Sequence, residues 1–177
     1  MRPKWTSQQI EIAVSEYFNI RTKIVIPNVS WGLLKYHEAD LLVLYKSNWC
    51  SEVEIKVTAQ DIKNDLKKSH GHKEKIIKDV WFAVPDTLKD NPDIPGFAGI
   101  LSVSRQIYRK RMRYVVAVVR LPTKNPKARK FTDEERMKLM RLGCLRIFNL
   151  KRKLDENRDK IEELKGLLKP IDNKKKK

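Results

Sequence analysis

An acid at position 40 and the triplet Glu54-Ile55-Lys56 stand out in this 177-residue chain. Asp40 heads an apolar run over 40–45, and the triplet sits near the end of a second run over 50–57. The polar stretch Lys46-Ser47-Asn48-Trp49 joins the two, so they read as a β-hairpin. Strand residues two apart share a face. Glu54 and Lys56 therefore point one way, and Val53, Ile55 and Val57 point into the opposite, apolar layer. Two carboxylates and an ammonium gathered at the edge of a sheet are a costly way to build a core. They suit a divalent cation held beside a phosphodiester. Such a cation takes carboxylate oxygens, offsets the phosphate charge and lowers the pKa of water, and an ammonium stabilises charge that develops on the phosphate.

The surrounding pattern supplies elements to hold these groups. Thr6 and Gln9 have capping-box spacing and open a helix running to about residue 18. Ile10, Ala13, Val14 and Tyr17 form its expected buried stripe, with Glu11 at the stripe's edge. A strand over 23–29 contains Pro27, which cannot donate to a ladder and marks a sheet edge. Thr58 and Asp61 repeat the cap spacing and start a helix through about residue 69. Its thin apolar stripe is Ile62 and Leu66, with Lys63, Lys67 and Lys68 beside or opposite. Residues 80–84 (VWFAV) read as a buried strand that takes Trp81 into the packing. Strands over 99–103 and 114–121 follow, separated by the basic segment 105–113. The order defines an α/β fold, a sheet with helices on its faces. Glu52 shares the face of Glu54 and is expected to be solvated.

The character changes after Pro122, which divides the chain into a core over 1–122 and a basic helical extension over 123–177 ending in a lysine tail. Thr132 and Glu135 are spaced to cap a helix that continues to about residue 168, with Gly143 as a potential break. Ile147, Leu150, Leu154, Asn157, Ile161, Leu164 and Leu168 follow a heptad seam with one polar layer. Lys151, Lys153, Arg158, Lys160 and Lys165 line both sides of it, so self-pairing would set like charges across the interface. Docking on the chain's own core or on an acidic partner is the expectation, and a homodimer stays open under salt screening.

A formal charge of +17 implies a polyanionic partner. It is distributed: residues 1–120 carry 20 Lys/Arg against 13 Asp/Glu, and residues 121–177 carry 19 against 9, so both regions are expected to contribute. Two cysteines without metal-type spacing argue against a disulfide scaffold or structural zinc. His70 and His72 lack a third ligand nearby and read as surface or phosphate-contacting residues. No apolar signal core or membrane-length apolar run occurs, so a cytoplasmic protein without membrane association is the expectation. P-loop, dinucleotide-fingerprint, zincin and nucleophile-elbow patterns are absent.

Asp40, Glu54 and Lys56 on adjacent strands, followed by a basic helix, resemble the PD-(D/E)XK nuclease superfamily. EVEIKVTAQDIKNDLKKSH with DVWFAVPD downstream is similar to small prophage-borne and bacterial DNA-repair members. The family's leading proline is replaced by Ala39. The resemblance implies a restriction-endonuclease-like core, a central mixed sheet flanked by helices. It also implies a Mg²⁺-dependent DNA endonuclease, with Mn²⁺ as a substitute, working in repair, recombination or phage DNA processing. Asp40, Glu54, the Ile55 carbonyl and Glu11 would then serve the metal, and Lys56 would orient the attacking water. Lys63, Lys67, Lys68, His70 and Lys73 would meet nucleic acid. A non-catalytic nucleic-acid-binding module on the same fold and a ribonuclease remain the alternatives.

Overall fold

The computed structural model describes residues 4–30, 32–34, 37–66 and 74–168. The first helix begins where its cap chemistry places it. Thr6 Oγ1 accepts from the Gln9 N–H at 3.3 Å, and Gln9 Oε1 accepts from the Thr6 N–H at 3.2 Å. The box satisfies amides that lack intrahelical partners. This helix, α1 (Ser7–Tyr17), buries Ile10, Ala13 and Val14. The stripe departs from expectation at its end: Tyr17 is 42% exposed and Phe18 is buried instead. Phe18, the C-cap residue, keeps right-handed helical backbone, and its N–H donates to the Val14 carbonyl at 2.9 Å, so it lies one turn beyond Val14 and continues the Ile10–Val14 side of the stripe.

Among the described residues six strands form one sheet, and their spatial order is their chain order: β1 (Ile24–Val29), β2 (Ala39–Leu44), β3 (Cys50–Ile55), β4 (Asp79–Pro85), β5 (Gly99–Tyr108) and β6 (Arg111–Arg120). β1–β2, β2–β3 and β5–β6 are antiparallel, while β3–β4 and β4–β5 are parallel. Parallel neighbours need a crossover, and α2 (Ala59–Leu66) provides it between β3 and β4. Pro27 lies on edge strand β1, as its missing donor requires. The architecture is the expected α/β one, a mixed sheet flanked by helices with a C-terminal helix.

Alternation along the strands divides the side chains into two layers. One joins Ile10, Ala13, Val14 and Phe18 of α1 to Leu41, Val43, Val53, Ile55, Trp81, Ala83, Leu101 and Val103. The opposite face carries Leu42, Glu52, Glu54 and Phe82, all buried. β5 and β6 are longer than the expected 99–103 and 114–121. The basic segment between them continues both strands and turns through Arg109 and Lys110, at φ 48° and 63°.

The last helix, α3 (Asp133–Leu168), opens with a reciprocal cap of the same kind, in which the Glu135 N–H donates to Thr132 Oγ1 and the Thr132 N–H to Glu135 Oε2. It passes through Gly143 unbroken. Contacts divide the chain into Met1–Met140 and Arg141–Lys177. Residues 123–140 belong with the first unit: backbone N–H groups of Asn125, Arg129 and Phe131 donate to the carbonyls of Lys78, Lys75 and Asn48, and Phe131 and Leu139 are buried. In the second unit, Ile147, Leu150, Leu154, Ile161 and Leu164 of the heptad seam are exposed. The Lys174–Lys177 tail lies outside the described residues. Among those residues no helix is long and apolar enough to cross a membrane.

Candidate active site

The β2–β3 register pairs Leu41 with Val53 and Leu42 with Glu52. One step further along the ladder sets Asp40 opposite Glu54, on the face away from α1. Asp40 is tied there by its Oδ2, which accepts the Ile55 N–H at 2.7 Å. Lys56 follows the last β3 residue, and its own N–H donates to the Ala83 carbonyl at 3.1 Å. That bond fixes the lysine beside β4, where its Nζ lies 5.8 Å from the Phe82 ring centroid.

Lys56 is 6% exposed. It donates to Glu54 Oε2 at 2.6 Å and to Asp65 Oδ1 of α2 at 2.9 Å. A lysine this enclosed keeps its charge only with counter-ions in place. Burial opposes the ammonium, and Glu54 and Asp65 outweigh it, so the pKa lies above the ordinary lysine value. Glu54 is pushed up to about 7, first by burial and then by the Asp40 carboxylate, with Lys56 pulling the other way. Glu11 on α1 is raised by burial and then by Asp40, which places it within the field of the same group. Asp40, Glu54, Lys56 and Glu11 therefore form one electrostatic cluster, and Ile55 contributes its amide to it.

Lys63 is exposed, with its Nζ 4.0 Å from Asp93 Oδ2. Lys67, Lys68, His70, His72 and Lys73 lie outside the described residues.

Three residues of the cluster escaped the sequence reading. Glu52, expected in solvent, is fully buried, and its Oε1 lies 2.5 Å from His37 Nε2. Glu52 is buried because it sits between Leu42 and Val80 in the ladder, where both strands are covered. His37 and Asp65 are the other two. Asp65 lies three residues beyond the buried Ile62, on the inward side of α2. Its signal was the need of a buried strand lysine for a second counter-ion. His37 stands three residues before Asp40, in a stretch with no regular pattern to place it.

The donor set fits a divalent cation. Asp40 and Glu54 are hard oxygen donors whose proximity raises a pKa, a repulsion that a dication would relieve. His37, Glu52 and Glu54 each offer a ligand atom within 4.8 Å of the others. One imidazole with two carboxylates suits Mn²⁺ or Zn²⁺ better than Mg²⁺.

No family model and no curated protein matches the chain. Among solved structures it is similar to a protein of unknown function from Silicibacter pomeroyi, with a TM-score of 0.57 and 17% identity over 88% of this chain and 92% of that one. At that identity the likeness concerns the fold alone.

Proposed function

We propose that the chain is a metal-dependent DNA endonuclease of the PD-(D/E)XK superfamily, with a restriction-endonuclease-like core. The observation that supports this best is the enclosed Lys56 ammonium, held against Glu54 while Asp40 stands opposite Glu54 across the ladder. Asp40, Glu54 and the Ile55 carbonyl are the ligands in this reading, and Glu11 adds negative potential from α1. Bound there, Mg²⁺ or Mn²⁺ supplies phosphate neutralisation and a more acidic water. Lys56 orients the nucleophilic water and stabilises charge on the non-bridging phosphate oxygens. Its ion pair with Asp65 holds it in position meanwhile.

Supercoiled plasmid, flap, four-way junction, single-stranded DNA and RNA, each incubated with Mg²⁺ or Mn²⁺ and with chelator, test the reading. At least one DNA form should be cut, and chelator should stop the cut. RNA cleavage without DNA cleavage would replace the reading with a ribonuclease.

The two ion pairs of Lys56 also favour a second reading, in which the cluster is structural and the basic fold only binds nucleic acid. Salt-sensitive DNA binding with no cleavage under either metal would select it.

A further inference from the structure

Between Ile94 and Thr132 the chain carries ten lysines and arginines and no acid. Five of these cations lie from Arg105 to Arg113, and the structure places them on a projecting ribbon. The last β4–β5 pair is Pro85 with Val103. Residues 104–108 and 111–115 have no register partner in β4 and pair with each other, from Ser104–Val115 to Tyr108–Arg111. At about 3.3 Å per residue the ribbon extends roughly 16 Å past its neighbouring strand.

Its base is braced and its tip is open. Arg105 donates to the Lys4 carbonyl at 3.0 Å and to Gln9 Oε1 at 2.8 Å, and its guanidinium lies 4.0 Å from the Trp5 ring centroid. Trp5 in turn packs against Tyr114. Arg105 is thus a strut. Residues 106–113 are all exposed, with Ile107 at 81%. The Arg113 guanidinium lies 4.7 Å from the Tyr108 ring centroid, which steadies a cation at the surface.

The ribbon has two faces. Gln106 pairs with Arg113 and Tyr108 with Arg111 on one, and Ile107 pairs with Met112 on the other. Glu54 pairs with Phe82 and Phe82 with Ile100, so the even-numbered side chains of β5 share the face of Glu54. β3, β4 and β5 are parallel, and the ribbon continues β5 past its β4 pairing. Gln106, Tyr108, Arg111 and Arg113 therefore project from the same face and the same end of the sheet as Glu54 and Lys56.

The turn adds an independent sign. Arg109 and Lys110 both occupy the left-handed region, where the Cβ of a non-glycine residue crowds the following carbonyl. Asn-Gly would form this two-residue turn with less strain. The chain keeps two cations where the backbone would prefer none.

We infer that the 104–115 ribbon is a docking arm that enters a groove of double-stranded DNA. The partner class rests on the proposed nuclease reading, and the placement rests on the ribbon alone. A two-stranded ribbon fits the major groove, which is about 12 Å wide. Arg109, Lys110, Arg111 and Arg113 meet phosphates, and the site end of the sheet faces the same duplex. Tyr108 lies eight residues past Ile100 and two strands from Glu54, a separation of roughly 25–30 Å, or about eight base pairs.

The test is anisotropy of a labelled 30-base-pair duplex in chelator across a salt series, which reads binding without cleavage. Arg109→Asn/Lys110→Gly should melt no lower than the parent because turn strain is relieved. It should nevertheless bind about tenfold more weakly, with a log–log salt slope smaller by about 2. Arg111→Ala/Arg113→Ala should lose at least as much. Lys151→Ala/Lys160→Ala, which removes equal charge elsewhere, should lose less. Unchanged affinity and slope in both ribbon variants, an equal loss in the control, or a loss confined to duplex RNA would overturn the inference. A ribbon variant that loses duplex binding in a protein that cuts no DNA would leave the arm standing and remove the nuclease reading. Normal ribbon-variant binding in a protein that cuts would remove the arm alone.

Discussion

Glu54 is 3% exposed, and burial together with the Asp40 carboxylate pushes its pKa up to about 7 from an ordinary value of 4.5. Between those values the folded state binds more protons than the unfolded one, so stability falls as pH rises across the window. Mg²⁺ needs the carboxylate, so its binding should tighten over the same interval. The rise in melting temperature on adding Mg²⁺ should be larger at pH 8 than at pH 6, and equal rises at both would contradict this assignment. Asp65 is the matching test of the lysine's support. Asp65→Asn removes one of two counter-ions from an enclosed ammonium and should cost about 1–3 kcal/mol in urea unfolding. An unchanged midpoint would place Asp65 outside the cluster. Asp40, Glu54 and Lys56 were legible because strand alternation alone places them. His37 and Asp65 were not, because their proximity depends on how a loop and a crossover helix return to the sheet.

The elements carry a lesson about what patterning reveals. Caps at Thr6, Thr58 and Thr132 are local chemistry and appear in the sequence as plainly as in the structure. The full lengths of β5 and β6 do not appear there. Both faces of the ribbon's outer part meet water, so no apolar alternation marks residues 106–113, and an Arg-Lys turn lacks the usual Asn-Gly sign. Gly99 shows a constraint of the opposite kind. A Cβ there would stand 2.5 Å from Trp81 Cε3 and 2.8 Å from Pro122 Cδ. Trp81 is packed in the core and has little room to yield, so Gly99→Ala should destabilise by about 1–3 kcal/mol. An unchanged urea midpoint would show that the ring can move. At the start of α3, Glu135 is lowered to about 2 from 4.5, chiefly by its hydrogen bonds from Arg129. Its contribution is therefore present above pH 4.5 and lost as pH falls towards 2. Glu135→Gln should flatten the acid limb of the stability profile within that window.

For the whole molecule, the boundary at Pro122 follows the change in composition, whereas the contacts divide after Met140. Phe131 and Leu139 bury apolar surface that a chain ending at 122 would lack. A fragment of residues 1–140 should melt cooperatively near the parent temperature, and one of 1–122 should melt well below it. Equal melting of the two would show that the 123–140 segment contributes nothing to the first unit. The charge of +17 predicts a partner class from composition alone, and affinity for duplex DNA should fall at least tenfold between 50 and 200 mM salt.

The proposed reaction requires that Lys56 act on a phosphodiester beside a metal held by Asp40 and Glu54. The most direct measurement is the single-turnover rate of plasmid nicking in Mg²⁺ for the parent and for Lys56→Met, which keeps most of the side-chain volume, with the fold of the variant checked by its far- and near-ultraviolet dichroism. Parental cleavage should stop in chelator, and Lys56→Met should lose about 10²–10³ in rate. A folded Lys56→Met protein that nicks as fast as the parent would contradict it.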